Sequence, residues 1–226
     1  MKTSLDLFLG SLSTANPLKR FKWIRDPREV LKIEGTMTED GTIKLYFDNA
    51  IITEIQAVAL ALNNRGKIPP CARPCQFGYG AQYAFYHYLN YFSEDSKFRF
   101  KYDDVFGSRF NLPADFRIFF PESEFWLEVK SNFPNMTYSR YFVSKYYQYP
   151  EYVVCVRILN EEMTNYEIYG FCTGSDVKKI PRETVCGLPC HQIPVTREFF
   201  KPYSDFHKTI LKLPMVETFD SEHYVN

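Results

Sequence analysis

The stretch FNLPADFRIFFPESEFWLEVKS, residues 110 to 131, alternates apolar and polar side chains on both sides of a Pro-Glu-Ser-Glu turn. Strand side chains alternate between faces with period two, so the segment reads as a hairpin with one apolar and one charged face. With PESE as the turn, Phe120 sits opposite Phe125, Arg117 opposite Glu128 and Asp115 opposite Lys130. Phe116, Ile118, Phe120, Phe125, Leu127 and Val129 then form the core face. The other face carries Asp115, Arg117, Glu128 and Lys130, with Phe119 and Trp126 near the turn, so two carboxylates and a lysine meet as cross-strand neighbours. Taken alone, the same pattern also describes a solvated sheet face with two weak ion pairs.

The flanking chain supplies the other elements. VLKIEG and TIKLYF, separated by TEDG, predict a hairpin. Asn49 caps a predicted helix running through Leu62 and ended by Gly66, and the three prolines of KIPPCARPCQFG predict a loop after it. Tyr79 to Phe92 has helical periodicity; KFRFKY, DFRIFF and FWLEVKS follow as three strands. Tyr138 to Tyr149 is a predicted helix stopped by Pro150, YVVCVRIL a buried strand, NYEIYGFC a further strand, and REFFKPYSDFHKTIL a helix interrupted at Pro202.

A chain of 226 residues is long enough to bury a real core, and we read it as one domain. Its central part covers about residues 78–160, with an accessory hairpin and helix at 28–66 and a cysteine-containing extension at 161–226. Lys plus Arg and Asp plus Glu each number 27, so any contact with nucleic acid must come from local patches rather than net charge. No apolar run approaches the roughly twenty residues of a membrane helix, which argues against a membrane protein. In MKTSLDLFLGSLSTA, Asp6 interrupts an already short apolar run. An amphipathic helix burying Leu5, Phe8, Leu9 and Leu12 is therefore expected in place of a signal peptide, and the cytoplasm is the expected compartment.

An Asp on one strand, a turn, and Glu-x-Lys on the next, within the order helix, three strands, helix, strand, resembles the PD-(D/E)XK nuclease superfamily. The residues that carry the resemblance are LPAD and LEVK, and it extends over about residues 78–160. It implies an α/β fold with a restriction-endonuclease-like core, a mixed central sheet, and additions at both ends of the chain. It also implies a metal-dependent nuclease acting on DNA, with RNA as a further substrate. Asp115, Glu128 and the backbone carbonyl of Val129 would hold Mg²⁺ or Mn²⁺, and Lys130 would orient the attacking water and stabilise developing charge. Pro113 lies one residue further from the Asp than the motif's name implies. A catalytically inactive scaffold that binds nucleic acid or plays a structural part is the alternative. Dimerisation is common in that superfamily, so a homodimer is compatible with the resemblance.

Many members carry a Glu on the first core helix as a further ligand, where this chain offers Gln82, a poorer ligand suited to a water-mediated or substrate contact; Glu54 is a weaker substitute. Arg140, Ser144 and Gln148 share one face of the predicted helix at 138–149, where Arg140 or Lys145 could meet a phosphate or simply face solvent. CARPC and CGLPC place Cys71, Cys75, Cys186 and Cys190 in two equally spaced knuckles. Structural Zn²⁺, disulfides, an iron–sulfur cluster and free thiols all remain open for them. Cys155 and Cys172 sit in apolar strand-like runs and are expected to behave as small buried hydrophobes. His87, His191, His207 and His223 show no ligand spacing, and only His191, beside Cys190, stands out.

Overall fold

The computed structural model describes residues 33–47, 72–93, 96–102, 114–133, 135–143, 148–185 and 187–220. It is a mixed α/β structure with a large curled sheet and few helices. In chain order the elements are β1 (Ile33–Met37), β2 (Ile43–Phe47), α1 (Ala72–Ser93), β3 (Arg99–Tyr102), β4 (Phe116–Phe120), β5 (Ser123–Asn132) and β6 (Tyr138–Phe142). They continue with β7 (Tyr152–Ile158), β8 (Asn165–Thr173), α2 (Gly174–Lys179), β9 (Arg182–Val185), β10 (Leu188–Pro194), β11 (Lys201–Pro202), α3 (Tyr203–Asp205) running into a π-helical turn (Phe206–Ile210), and β12 (Thr218–Asp220).

Two sheets form among the described residues. The larger has the order β12-β1-β2-β8-β7-β5-β4-β3, with β11 also pairing β8, and the smaller has the order β6-β10-β9. Within the larger sheet β5 and β7 pair in parallel and the other strand pairs are antiparallel. β7 is central and buried on both faces, as its run of valines requires. The segments expected as N- and C-terminal additions are continuous with this sheet, through β2 against β8 and β12 against β1.

Helix α1 covers one face. Its Ala81, Ala84, Phe85, Tyr88, Leu89 and Phe92 recur at helical spacing and are buried against Phe116, Ile118, Leu127, Val129, Val154, Val156 and Ile168 of the sheet. A second apolar cluster of Tyr141, Val153, Cys155, Tyr169, Cys172, Val177, Ile193 and Phe200 draws on the smaller sheet and α2. Thr173 caps α2 in a reciprocal capping box with Asp176. The described portion therefore has three layers: helix, large sheet, and small sheet with helix.

Several predicted elements are found where expected. These are the β1–β2 hairpin, turned by Gly41 at φ 78°, the helix over 79–92, the strands β3, β4, β5, β7 and β8, and the buried Cys155 and Cys172. Three expectations are corrected. The predicted loop KIPPCARPCQFG gives way to helix at Ala72, because Pro74 then falls in the first turn, where no intrahelical N–H is needed. Among the described residues of 138–149 no helix is found: 138–142 is strand β6, with Ser139 and Tyr141 buried and Arg140 and Phe142 exposed. That alternation is period two, and the ladder bonds come from β10, a partner some fifty residues further on that local periodicity does not show. The C-terminal helix is reduced to α3 and one π-helical turn after Pro202, preceded by β11. The expected helices at residues 5–12 and 49–62, with Glu54, lie outside the described residues.

The C-terminal region also buries His207. Its Nδ1 accepts from the Tyr88 hydroxyl, its Nε2 donates to the Pro214 carbonyl at 2.7 Å, and the ring lies edge-on to Phe92. Burial holds this imidazole below its ordinary value of 6.5, partly offset by the bond to Pro214. The unfolded chain then binds the proton more readily, so stability is complete above about pH 6.5 and falls as the pH drops below it. Urea midpoints measured at pH 7.5 and 5.5 should differ, and His207→Gln should narrow the gap; an unchanged gap would assign the pH dependence elsewhere.

Candidate active site at the β4–β5 end

The β4–β5 hairpin turns more tightly than predicted. Phe120 pairs with Ser123, leaving only Pro121 and Glu122 in the loop, so the register differs by two residues from the predicted one. A shift of two preserves faces, and Phe116, Ile118, Leu127 and Val129 are buried as expected. The partners change. Arg117 lies opposite Trp126 and donates from its Nη2 to both carboxylate oxygens of Glu124 at 2.5 and 2.6 Å, with Phe119 and Trp126 rings 4.9 and 5.0 Å from its guanidinium. It is drawn toward the turn, and Glu128 is left to Lys130. The predicted pairs Arg117 with Glu128 and Asp115 with Lys130 are both replaced.

Asp115 immediately precedes β4, and continuing the ladder one step past Phe116 and Leu127 brings it opposite Glu128. Its Oδ2 accepts the Val129 N–H at 2.7 Å, and its Oδ1 accepts from Gln82 Nε2, reaching over from α1, also at 2.7 Å. The Lys130 ammonium donates to Glu128 Oε1, with side-chain exposures of only 21% and 16% for lysine and glutamate. Burial alone would lower the Lys130 value, but the charges of Glu128 and Asp115 and the hydrogen bond to Glu128 outweigh it and raise it. Lys130 is therefore a cation at neutral pH, held by both carboxylates. This face is more enclosed than a solvated ion-pair surface, so the pairing offsets a desolvation cost rather than adding freely to stability.

Strand β6 completes the wall with Tyr141, whose ring centroid lies 5.2 Å from the Lys130 ammonium. Burial, followed by the charges of Glu128, Tyr149 and Asp115, pushes the Tyr141 phenol well above its ordinary value of 10.0. Tyr141 stacks on Tyr149 at 5.6 Å and 13°, and the Tyr149 hydroxyl donates to His191 Nε2 at 2.6 Å. His191 Nδ1 donates to the Ile180 carbonyl at 2.7 Å, and Arg182 also reaches the Tyr149 hydroxyl at 3.2 Å.

The structure thus brings Asp115, Glu128, Val129, Lys130 and Gln82 together and does not bring Arg140 or Gln148 to them. Arg140 sits on the exposed face of β6, opposite to Tyr141, and leans on Tyr138; Gln148 is exposed in the segment before β7. Ser144 and Lys145 lie outside the described residues, as do Cys71, Cys186 and the side chain of Cys75. Cys190 is buried on β10, its thiol raised by burial, and none of Cys155, Cys172 and Cys190 is in a disulfide. Gly187, at φ 77°, lies between β9 and β10 just before Leu188, which pairs with Val185. Of Tyr141, Tyr149 and His191, only His191 stands out in the sequence; inward alternation of Ser139 and Tyr141 is the signal that points to Tyr141. Among the described residues no three His, Cys, Asp or Glu side chains cluster as a ready-made metal cage. No helix of the described residues is long and apolar enough to cross a membrane. No protein-family model, curated protein or solved structure matches the chain at a significant level.

Proposed function

We propose that this protein is a metal-dependent nuclease that hydrolyses phosphodiester bonds of DNA, with RNA as a second substrate to be tested. The observation that carries the reading is the meeting of Asp115, Glu128 and Lys130 at one end of the β4–β5 pair, with Gln82 of α1 on Asp115. The order α1, β3, β4, β5, β7, with β7 parallel to β5, supports a restriction-endonuclease-like core, although β6 stands where that core has its second helix.

The donor set suits a hard divalent cation such as Mg²⁺ or Mn²⁺, which takes a few carboxylate and carbonyl oxygens and completes its shell with water. Asp115, Glu128 and the Val129 carbonyl would hold it. The N–H and C=O of one strand residue point to the same side, and the Val129 N–H already faces Asp115. Bound there, the cation would supply a water acidic enough to release a proton to solvent and become a nucleophile, and it would neutralise charge on the phosphate. Gln82 and the Val129 N–H fix the Asp115 carboxylate, and Lys130 stabilises charge on the phosphate oxygens from a fixed position.

A second reading, a catalytically silent nucleic-acid-binding scaffold, is favoured by one feature: an amide, Gln82, donates to Asp115 where an acid would add a ligand. Incubating the protein with plasmid, linear and single-stranded DNA and with RNA, with Mg²⁺, Mn²⁺ or EDTA, separates the two. Cleavage that needs metal and disappears in Lys130→Met is expected. Metal-independent retention of nucleic acid without cleavage would establish the second reading instead.

A further inference from the structure

We propose that Tyr141 is a positioning residue that holds the Lys130 ammonium over the two carboxylates, making the small sheet part of the working site. This deepens the nuclease reading and rests on it. Lysine has a long flexible stem and no fixed fork, so an ammonium that must face a developing charge needs a wall as well as an ion pair. Glu128 and Asp115 attract Lys130 from one side, and the Tyr141 ring, 5.2 Å from the nitrogen, faces it from β6. An aromatic face attracts a cation without offering it an oxygen, so the ring confines Lys130 while leaving the N–H groups not donated to Glu128 to turn toward substrate.

The ring itself is held. It is only 6% exposed, is packed in the second apolar cluster, and stacks on Tyr149. The Tyr149 hydroxyl is in turn held by His191 and Arg182, and His191 is tied to the Ile180 carbonyl. Glu128 and Lys130 of β5 lie beside Val153 and Cys155 of β7, the residues this cluster packs on, so the small sheet docks directly alongside the charged pair. The connection from β5 to the parallel strand β7 is where this wall is built, since β6 lies within it.

The test compares Tyr141→Phe, which keeps the ring, with Tyr141→Leu and Tyr141→Met, which remove it with different packing. Each variant is assayed for metal-dependent DNA cleavage, and for the order of the Lys130 ammonium by NMR of protein carrying ¹⁵N-labelled lysine. Tyr141→Phe should cleave within about threefold of wild type, whereas Leu and Met should lower kcat roughly tenfold, the scale of a desolvated cation–π contact, with KM little changed. The Lys130 ammonium should stay ordered in Tyr141→Phe and become mobile in the other two. Equal loss in Phe and Leu would assign the effect to the hydroxyl and overturn the proposal, as would an ordered Lys130 in both ring-deleted variants. Cleavage absent from the wild type would remove the nuclease reading, and the NMR comparison would still decide whether the ring places Lys130.

Discussion

Asp115→Asn is expected to lower metal-dependent cleavage about a thousandfold while leaving the protein folded. The carboxylate is the point on which the proposed site converges, since it reaches α1 through Gln82 and β5 through the Val129 N–H. Asparagine keeps one acceptor, so the Val129 N–H retains its partner. Its new amide would meet the Gln82 amide donor to donor, a conflict removed when Gln82 turns its own oxygen inward. The fold is therefore spared, and what is lost is the negative charge a divalent cation requires. Asp115→Ala removes both bonds and should also cost about 1–3 kcal/mol through the unsatisfied Val129 N–H, so the asparagine variant is the sharper probe. Titration with Mn²⁺ followed by calorimetry should show weakened binding in parallel with lost cleavage. An Asp115→Asn protein that cuts DNA at the wild-type rate would exclude Asp115 as a ligand.

The largest expected loss of stability lies in the C-terminal region. Phe206, in the π-helical turn, is fully buried, and its ring lies within 5.1 to 6.2 Å of Phe125, Tyr152, Phe171 and Tyr203. It therefore joins β5, β7, β8 and α3. Phe206→Ala should destabilise the protein by about 3–5 kcal/mol, because the rings around the cavity belong to different elements and cannot collapse into it together. For a chain of this size the melting temperature should fall by roughly 6 to 20 °C, measurable by calorimetry. A shift of only a degree or two would mean that the C-terminal region is a detachable addition, contrary to its packing against β5 and β7.

By itself the sequence determined the elements whose signal is local. The alternation in DFRIFF and FWLEVKS specified which side chains are buried, and the period of two made that assignment immune to the two-residue error in register. For the same reason Asp115, Glu128 and Lys130 were legible as one group, and Gln82 was legible as a candidate from its place on the helix. The tertiary structure alone decided the rest. The two-residue turn sent Arg117 to Glu124 and gave Lys130 to Glu128, a choice between registers that are equally good as patterns. Segment 138–142 became a strand because β10 offered its backbone ladder, and that partner is remote in the chain. Tyr141 then faced Lys130, and Arg140, adjacent in sequence, faced away. Side-chain faces follow from local periodicity, whereas pairing partners depend on which distant backbone satisfies the hydrogen bonds, and only the folded chain resolves that competition.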